Sequence, residues 1–528
     1  MKQFNKLFFL LVATFLVGNI NAQERYLDEI FTSVDVQTDV TYGANITIIT
    51  VPVTGMPSLD SLKMDVYTPA GDDVTNRPVV LYFHTGSFLP QIINGQVTGG
   101  KNDSTAVEIC KRLARQGYVA ISATYRQGWN PVAVGPEGQD ERTGTLLNAA
   151  YRGIQDARTL IRHLRWDVDQ NGNTFGVDPE RITLWGQGTG GYISYGAAYL
   201  DDFSEVVLDK FIGADQNVYV DTTLVGDVYG IKPAAINIPN YPSYSSDFKL
   251  AVNTGGALGD TSWIDGTVNE PPTIGFHMVA DPFAPYEDGA VIVPTTQEFV
   301  VNVAGTRRVT QIANDNGTNG IFQVANDDLT DPINARNKAY QSLPGLANLT
   351  LSTDNMYPFV TDGAASGWWE WWDFPTLSFI VGLVNSQLPA EATPYDAAAI
   401  DMANKTLNPD MSKEKAMAYI DTMMAYFNPR AYLALNLVAT STKEVLSAES
   451  VEMTVGPNPV SDVAFIRTAP DKPMKNVALY HMNGKMMRGI MNVNSSTFEI
   501  HRKNLPPGIY ILQAEFDEGV VSKKLVFN

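Results

Sequence analysis

The chain predicts an α/β fold, a mostly parallel central sheet with helices on both faces, followed by a small all-β sandwich. Three observations lead there. Strand-like runs alternate with amphipathic stretches of helical spacing across roughly the first three hundred residues. The middle runs are continuously apolar, as in strands covered on both faces. Beyond residue 450 helical spacing gives way to short alternating runs separated by turns. A length of 528 residues fits two or three such units.

The elements follow in order. LKMDVYTP (62–69) alternates apolar and polar side chains, as a half-buried strand does. VVLYFH (79–84) reads as a fully covered strand. In AVEICKRLARQG (106–117) apolar residues recur at helical spacing, with Thr105 and Glu108 placed as a capping box and Gly117 at the stop. YVAISATYR (118–126) returns to strand. YRGIQDARTLIRHLRW (151–166) aligns Ile154, Ala157, Ile161 and Leu164 on one helix face, which leaves His163 facing solvent. RITLW (181–185), KLAVNTGG (249–256) and PTIGFHMVAD (272–281) are further strands. From 376 to 437 the pattern is helical, most clearly in KAMAYIDTMMAYF. LVATSTKEVLSAES is small, polar and aperiodic. The expected units are therefore 23–436, a linker at 437–450, and a β-sandwich at 451–528 with turns at 483–484 and 506–508.

With 44% apolar and 18% charged residues the chain can bury a sizeable core. Residues 1–22 have two lysines, an apolar run over 7–17 and Ala22 before a polar stretch, the layout of a secretory signal peptide. That run is shorter than the roughly 20 residues a membrane span needs, and no other segment is apolar enough for a stable span. The expected location is outside the cell or on its surface. Cys110 is the single cysteine, so no intramolecular disulfide can form, and its helical setting predicts a core thiol. A net charge of −20 argues against nucleic-acid binding and favours solubility, without naming a partner.

Six stretches carry a resemblance when taken together and in order. SLKMDVYTPAGD leads into RPVVLYFHTGSF; LARQGYVAISATYR, YRGIQDARTLIRHLR, FGVDPERITLWGQGTGG and PPTIGFHMVADPFAPYEDG follow. From about residue 62 to 290 the order resembles the carboxylesterase-like branch of the α/β-hydrolase fold. The resemblance implies an oxyanion loop at 84–88, a nucleophile elbow at 186–190 and a triad acid at Asp281. Oxyanion binding needs backbone N–H groups, which Gly86, Ser87 and Thr189 can supply although Thr85 replaces a usual glycine. Asp281 would orient an imidazolium; it also suits an ordinary Asp-Pro turn.

Two parts of the triad are missing. Gly188 stands at the nucleophile position and has no side chain, and Thr189 comes one position late. No histidine lies between Asp281 and the linker; Ser366 or Gly367, within TDGAASGWWEWWD (361–373), stands where one is expected. His481 and His501 fall in the small β domain. His84 and His277 lie at strand ends near the site, either as structural hydrogen-bonding residues or as a displaced base.

Trp368, Trp369, Trp371 and Trp372 surround Glu370 at the rim of the expected site, before Asp373 caps the next helix. Together with His84 they are the candidate substrate-binding set, a stacking platform for a sugar or aromatic ester; the alternative is hydrophobic packing. DVDQNGNTFGVD (167–178) approaches a calcium-loop pattern, with Asp instead of Glu at its last position, and equally suits a helix-to-strand connection. No metal or cofactor is called for. At the C-terminus VGPNPVSD, VALYHMNGK and LPPGIYILQAEFDEGVVSKKLVFN resemble the type A sorting domain of the type IX secretion system of Bacteroidota, with Pro459, Gly484, Gly508, Lys523 and Lys524 in place. That resemblance implies export by the type IX machinery, often with removal of the domain; a generic adhesive sandwich is the alternative.

Three functions follow as expectations. The leading one is a catalytically silent pseudo-esterase that binds a small molecule, a saccharide or ester, or a partner in the former cleft. The second is an active carboxylic-ester hydrolase using Asp281 with His84 or His277. The third is a purely structural cell-surface protein with a filled cleft.

Overall fold

The structure is a computed structural model that describes residues 24–528, apart from 268, 294–295, 324, 326–334, 336–352, 362, 438–443, 483–485, 491–492 and 504. The expected signal peptide lies outside the described residues.

Eight strands build the main sheet: β1 (Val34–Thr47), β2 (Ser58–Pro69), β3 (Arg77–Phe83), β4 (Val119–Ala123), β5 (Val177–Gln187), β6 (Leu250–Thr254), β7 (Thr273–Met278) and β8 (Met356–Phe359). Their spatial order is β1-β2-β4-β3-β5-β6-β7-β8. Only β2 runs against its neighbours; every pair from β4 to β8 is parallel. β3 sits at the centre because all seven of its residues are buried, as its unbroken apolar run requires. Leu81 pairs with Ile121 on one side and Leu184 on the other. Alternate residues serve different layers: Val79, Leu81 and Phe83 join one buried cluster, Val80 and Tyr82 the other.

Helices α1 (Ser104–Arg115), α2 (Gln139–Gln170), α3 (Thr189–Tyr199), α4 (Thr306–Asp315), α5 (Phe374–Asn385), α6 (Ala397–Leu407) and α7 (Lys413–Ala434) cover the faces and build the rim. Cys110 is buried on α1, as expected. Three local expectations need correction. Asp103, not Thr105, is the N-cap of α1. Thr105 instead donates its hydroxyl to the Trp369 carbonyl at 2.8 Å, and Glu108 pairs with Arg112 at 2.9 Å. α2 is twice the expected length, so its solvent face is not where periodicity over 151–166 puts it. His163 is only 5% exposed, stacked on Trp166 and bonded to the Tyr241 hydroxyl at 3.1 Å. The cause is the 226–245 segment, which crosses α2 and accepts hydrogen bonds from Arg162 at Tyr229 and Asn240. The calcium-like stretch begins inside α2, and Asp167 accepts from the Asn171 amide and the Thr174 N–H, both at 2.7 Å, closing the turn with its own groups.

The C-terminal region is a two-sheet sandwich. One sheet runs Glu444–Val445, Gly519–Phe527, Gly508–Glu515, Asn476–His481, Met486–Ile490; the other joins Thr454–Gly456, Val463–Arg467 and Thr497–His501. Val460, Ile466, Leu479 and Leu512 form its separate core. Glu444–Val445 pairs in parallel with Gly519–Val520, so strand begins within the stretch read as linker. The turn at 483–484, with Gly484, lies outside the described residues.

Candidate functional site

The elbow is preserved as backbone. β5 runs to Gln187, Gly188 turns at φ 54° and ψ −116°, and α3 begins at Thr189. The flanking glycines are sterically required: a Cβ on Gly186 would sit 1.8 Å from the Gly190 carbonyl oxygen, and one on Gly190 would sit 2.0 Å from that of Phe83. Gly188 differs in kind. A Cβ there would lie 2.1 Å from Oγ1 and 2.9 Å from Cβ of Thr85. Thr85 thus fills the volume that any side chain at position 188 would need. Thr189 offers no substitute, because its hydroxyl is 2.8 Å from the hydroxyl of buried Tyr125.

The loop after β3 folds back over the elbow with Ser87 and Phe88 at φ 55° and 53°. The N–H groups of Gly86, Ser87 and Thr189 donate to no acceptor among the described residues. Ser87 is held by Gln96, which donates to its hydroxyl at 2.9 Å, and by Trp129, which donates to its carbonyl at 2.7 Å.

Asp281 follows β7, its side chain only 2% exposed. It accepts from the N–H groups of Phe283 at 2.8 Å and Ala284 at 3.2 Å, and Ser366 lines the same cavity close enough to ease its ionisation. Ser366 therefore stands beside the acid where a histidine was sought. Burial pushes the Asp281 carboxyl up to about 7.

Neither nearby histidine lines the cleft. His84 is buried against Tyr125, ring centroids 4.6 Å apart, with Nδ1 2.5 Å from the Thr85 carbonyl. His277 is fully buried with Nδ1 2.7 Å from the Thr306 hydroxyl and Nε2 3.1 Å from the Ala284 carbonyl, while Asp281 Oδ2 is farther, at 3.7 Å. Burial lowers both imidazoles to about 4, so they are neutral at physiological pH.

The cleft itself is open, a cavity of about 730 Å³ bounded by the elbow, the oxyanion loop, Asp281 and an apolar wall that includes Phe88, Leu146, Phe211 and Val301. Of the four clustered tryptophans, Trp369 and Trp372 line it. Trp368 and Trp371 do not: Trp368 lies under the Lys415 ammonium at 4.0 Å and edge-on to Tyr419, and Trp371 packs on the sheet cluster. His84 likewise stays behind the wall.

One residue escaped the sequence reading. Glu370 lines the cavity, accepting from Gln187 Nε2 at 2.5 Å and from the Thr98 hydroxyl at 3.3 Å. Gln187 is in turn oriented by the Tyr82 hydroxyl, which donates to its Oε1. Burial first, and the neighbouring Asp103 next, push the Glu370 carboxyl up to about 8. Its only signal in the sequence was a lone acid amid four tryptophans.

The sheet order and the tight glycine turn between β5 and α3 define an α/β-hydrolase fold. Residues 36–212 match the model of the carboxylesterase family, and residues 454–528 match that of the secretion system C-terminal sorting domain. The chain is 28% identical over 171 residues to carboxylesterase patB of Penicillium expansum, covering 29% of this chain and 28% of that protein. It is 27% identical over 176 residues to secreted lipase 5 of Gibberella zeae, covering 32% and 29%. The matched region thus spans less than a third of either relative. Among solved structures, Thermogutta terrifontis esterase 2 phosphoramylated by tabun aligns with a TM-score of 0.32 at 17% identity, over 71% of this chain and 94% of that one. The sorting tail marks the chain for handling by a secretion system. Among the described residues no helix is long and apolar enough to cross a membrane.

Proposed function

We propose that this is an exported pseudo-esterase, a carboxylesterase-like protein that binds a ligand in the former substrate cleft without hydrolysing esters. The observation that carries the reading is the Thr85 side chain occupying the nucleophile's volume at Gly188. Ser366 beside Asp281 supports it from the other end of the triad. Loss of the nucleophile or base alone removes on the order of 10⁶ in turnover in a triad hydrolase. The N–H groups of Gly86, Ser87 and Thr189 would remain able to hold a ligand carbonyl oxygen.

The active-hydrolase reading needs His84 or His277 beside the substrate, and both are engaged behind the cavity wall. A purely structural role predicts a filled cleft, where a cavity of about 730 Å³ lies. Export follows from a signal peptide at 1–22 and type IX handling of the tail, with the protein secreted or on the cell surface. Short-chain aryl esters and a serine-reactive fluorophosphonate probe test the reading. The expected result is no labelling and no turnover above an Asp281→Ala control; turnover well above that control overturns it.

A further inference from the structure

We propose that the cavity takes a ligand with an apolar tail and a cationic amine head, with Glu370 as the acceptor of that head. This rests on reading the cleft as a binding site, and it adds the chemical class of what binds.

Charge is the first argument. The cavity wall includes the carboxyls of Asp281 and Glu370 and, among the described residues, no lysine, arginine or histidine. Asp103, which accepts from the Gly99 and Gly100 N–H groups at 2.7 and 3.1 Å, adds a third carboxyl behind Glu370. The other titratable group facing Glu370 is Tyr82, which reaches it through Gln187 and is itself held protonated by burial. An ionised Glu370 here is opposed by low polarity and by like charge, and no cation among the described wall residues compensates it beyond the two neutral donors, Gln187 and Thr98. An ammonium head would supply that compensation, a hydroxyl head would not, and a carboxylate head would add to the repulsion.

Geometry is the second argument. Gln187 and Thr98 each donate one hydrogen bond to Glu370. A carboxylate has about four lone-pair sites, so acceptor capacity remains for a ligand N–H. The Tyr82–Gln187 contact fixes which end of the amide faces Glu370, so the acceptor is held in place before a ligand arrives. The rest of the cavity is built of aliphatic and aromatic side chains such as Leu147, Trp263 and Val303, which suits an uncharged tail.

Since Glu370 is raised to about 8, ammonium binding should strengthen as pH rises through that value. The test uses the full chain with octylamine, 1-octanol and octanoate, which share a tail and differ in head, titrated calorimetrically at pH 9 and pH 6.5. At pH 9 octylamine is expected to bind about tenfold more tightly than octanol, a gain of one hydrogen-bonded charge contact, and octanoate more weakly than either. The amine's advantage should shrink severalfold at pH 6.5, and in Glu370→Gln it should vanish while octanol still binds. Octanol or octanoate binding as tightly as octylamine, an advantage that survives Glu370→Gln, or no binding of any of the three would overturn the proposal. The head-group order is read on the native chain, so a poorly folding variant does not blunt the test. Ester turnover in the assay above would remove the silent-cleft reading whatever that order is.

Discussion

Thr85 and Gly188 lie 103 positions apart in the chain and compete for one volume. Restoring a serine at 188 alone should therefore clash with Thr85 Oγ1, costing about 1–3 kcal/mol of stability as an overpacked site does. Removing the obstruction with Thr85→Gly should recover part of that cost. A double-mutant cycle by urea denaturation is expected to give a coupling of about 1–2 kcal/mol; additive single effects would contradict the steric link. The tight turn at 186–190 was legible in the sequence because its run of glycines marks it. Thr85 was visible as an odd residue, but its occupation of the serine's space is a through-space fact that motif spacing does not carry. Glu370 was harder still, since four adjacent tryptophans draw a reading toward rings and away from the acid between them.

At the scale of elements, α2 shows where periodicity fails. A helical wheel over 151–166 assumes one buried face, yet the 226–245 segment covers the other, and arginines on it donate to backbone carbonyls of that segment. Central strands were legible because full burial leaves an unbroken apolar run. β1 was not: much of it is exposed, and it is specified by pairing with β2 from Val34 opposite Pro69 to Thr47 opposite Ser58. The segment just after β4 is tied to α2 by Arg126 and Asp156, both side chains 0% exposed and 2.8 Å apart. Arg126→Met leaves a buried carboxylate with the residue-126 N–H as its one hydrogen-bond donor among the described residues and should cost about 3–5 kcal/mol in chemical denaturation. A loss below about 1 kcal/mol, the level of a surface pair, would show that the junction is not what anchors α2.

For the whole molecule, buried titratable groups give stability a definite dependence on pH. Asp103 and Asp281 are raised to about 7 and Glu370 to about 8, each mainly by burial. A folded-state value above the unfolded one means the native chain holds more protons, so stability falls as pH rises through these values. His84 and His277, lowered to about 4, act oppositely: their contribution is lost as pH falls from about 6.5 through 4. Asp72, held at about 2 by Arg25 and Arg77 against its burial, loses its contribution only in stronger acid. Between pH 6.5 and 9 these three carboxyls and Glu270, also raised to about 7 by burial, outweigh Arg152, which burial lowers to about 9, so the melting temperature should decline across that window and decline less in Glu370→Gln. A profile identical in the two proteins would mean that Glu370 does not titrate there.

Cys110 gives the fold an unplanned clock. It is the chain's single thiol, fully buried, with its ionisation suppressed by the surrounding hydrocarbon. Its helix is the one that starts after Asp103 and is joined through Thr105 to the backbone of Trp369 at the cavity wall. A thiol-selective reagent can therefore mark a molecule only once, and only while that helix has come away from the sheet. The rate at which intact mass gains a single adduct becomes a direct count of openings beside the cleft, readable without any label being engineered in.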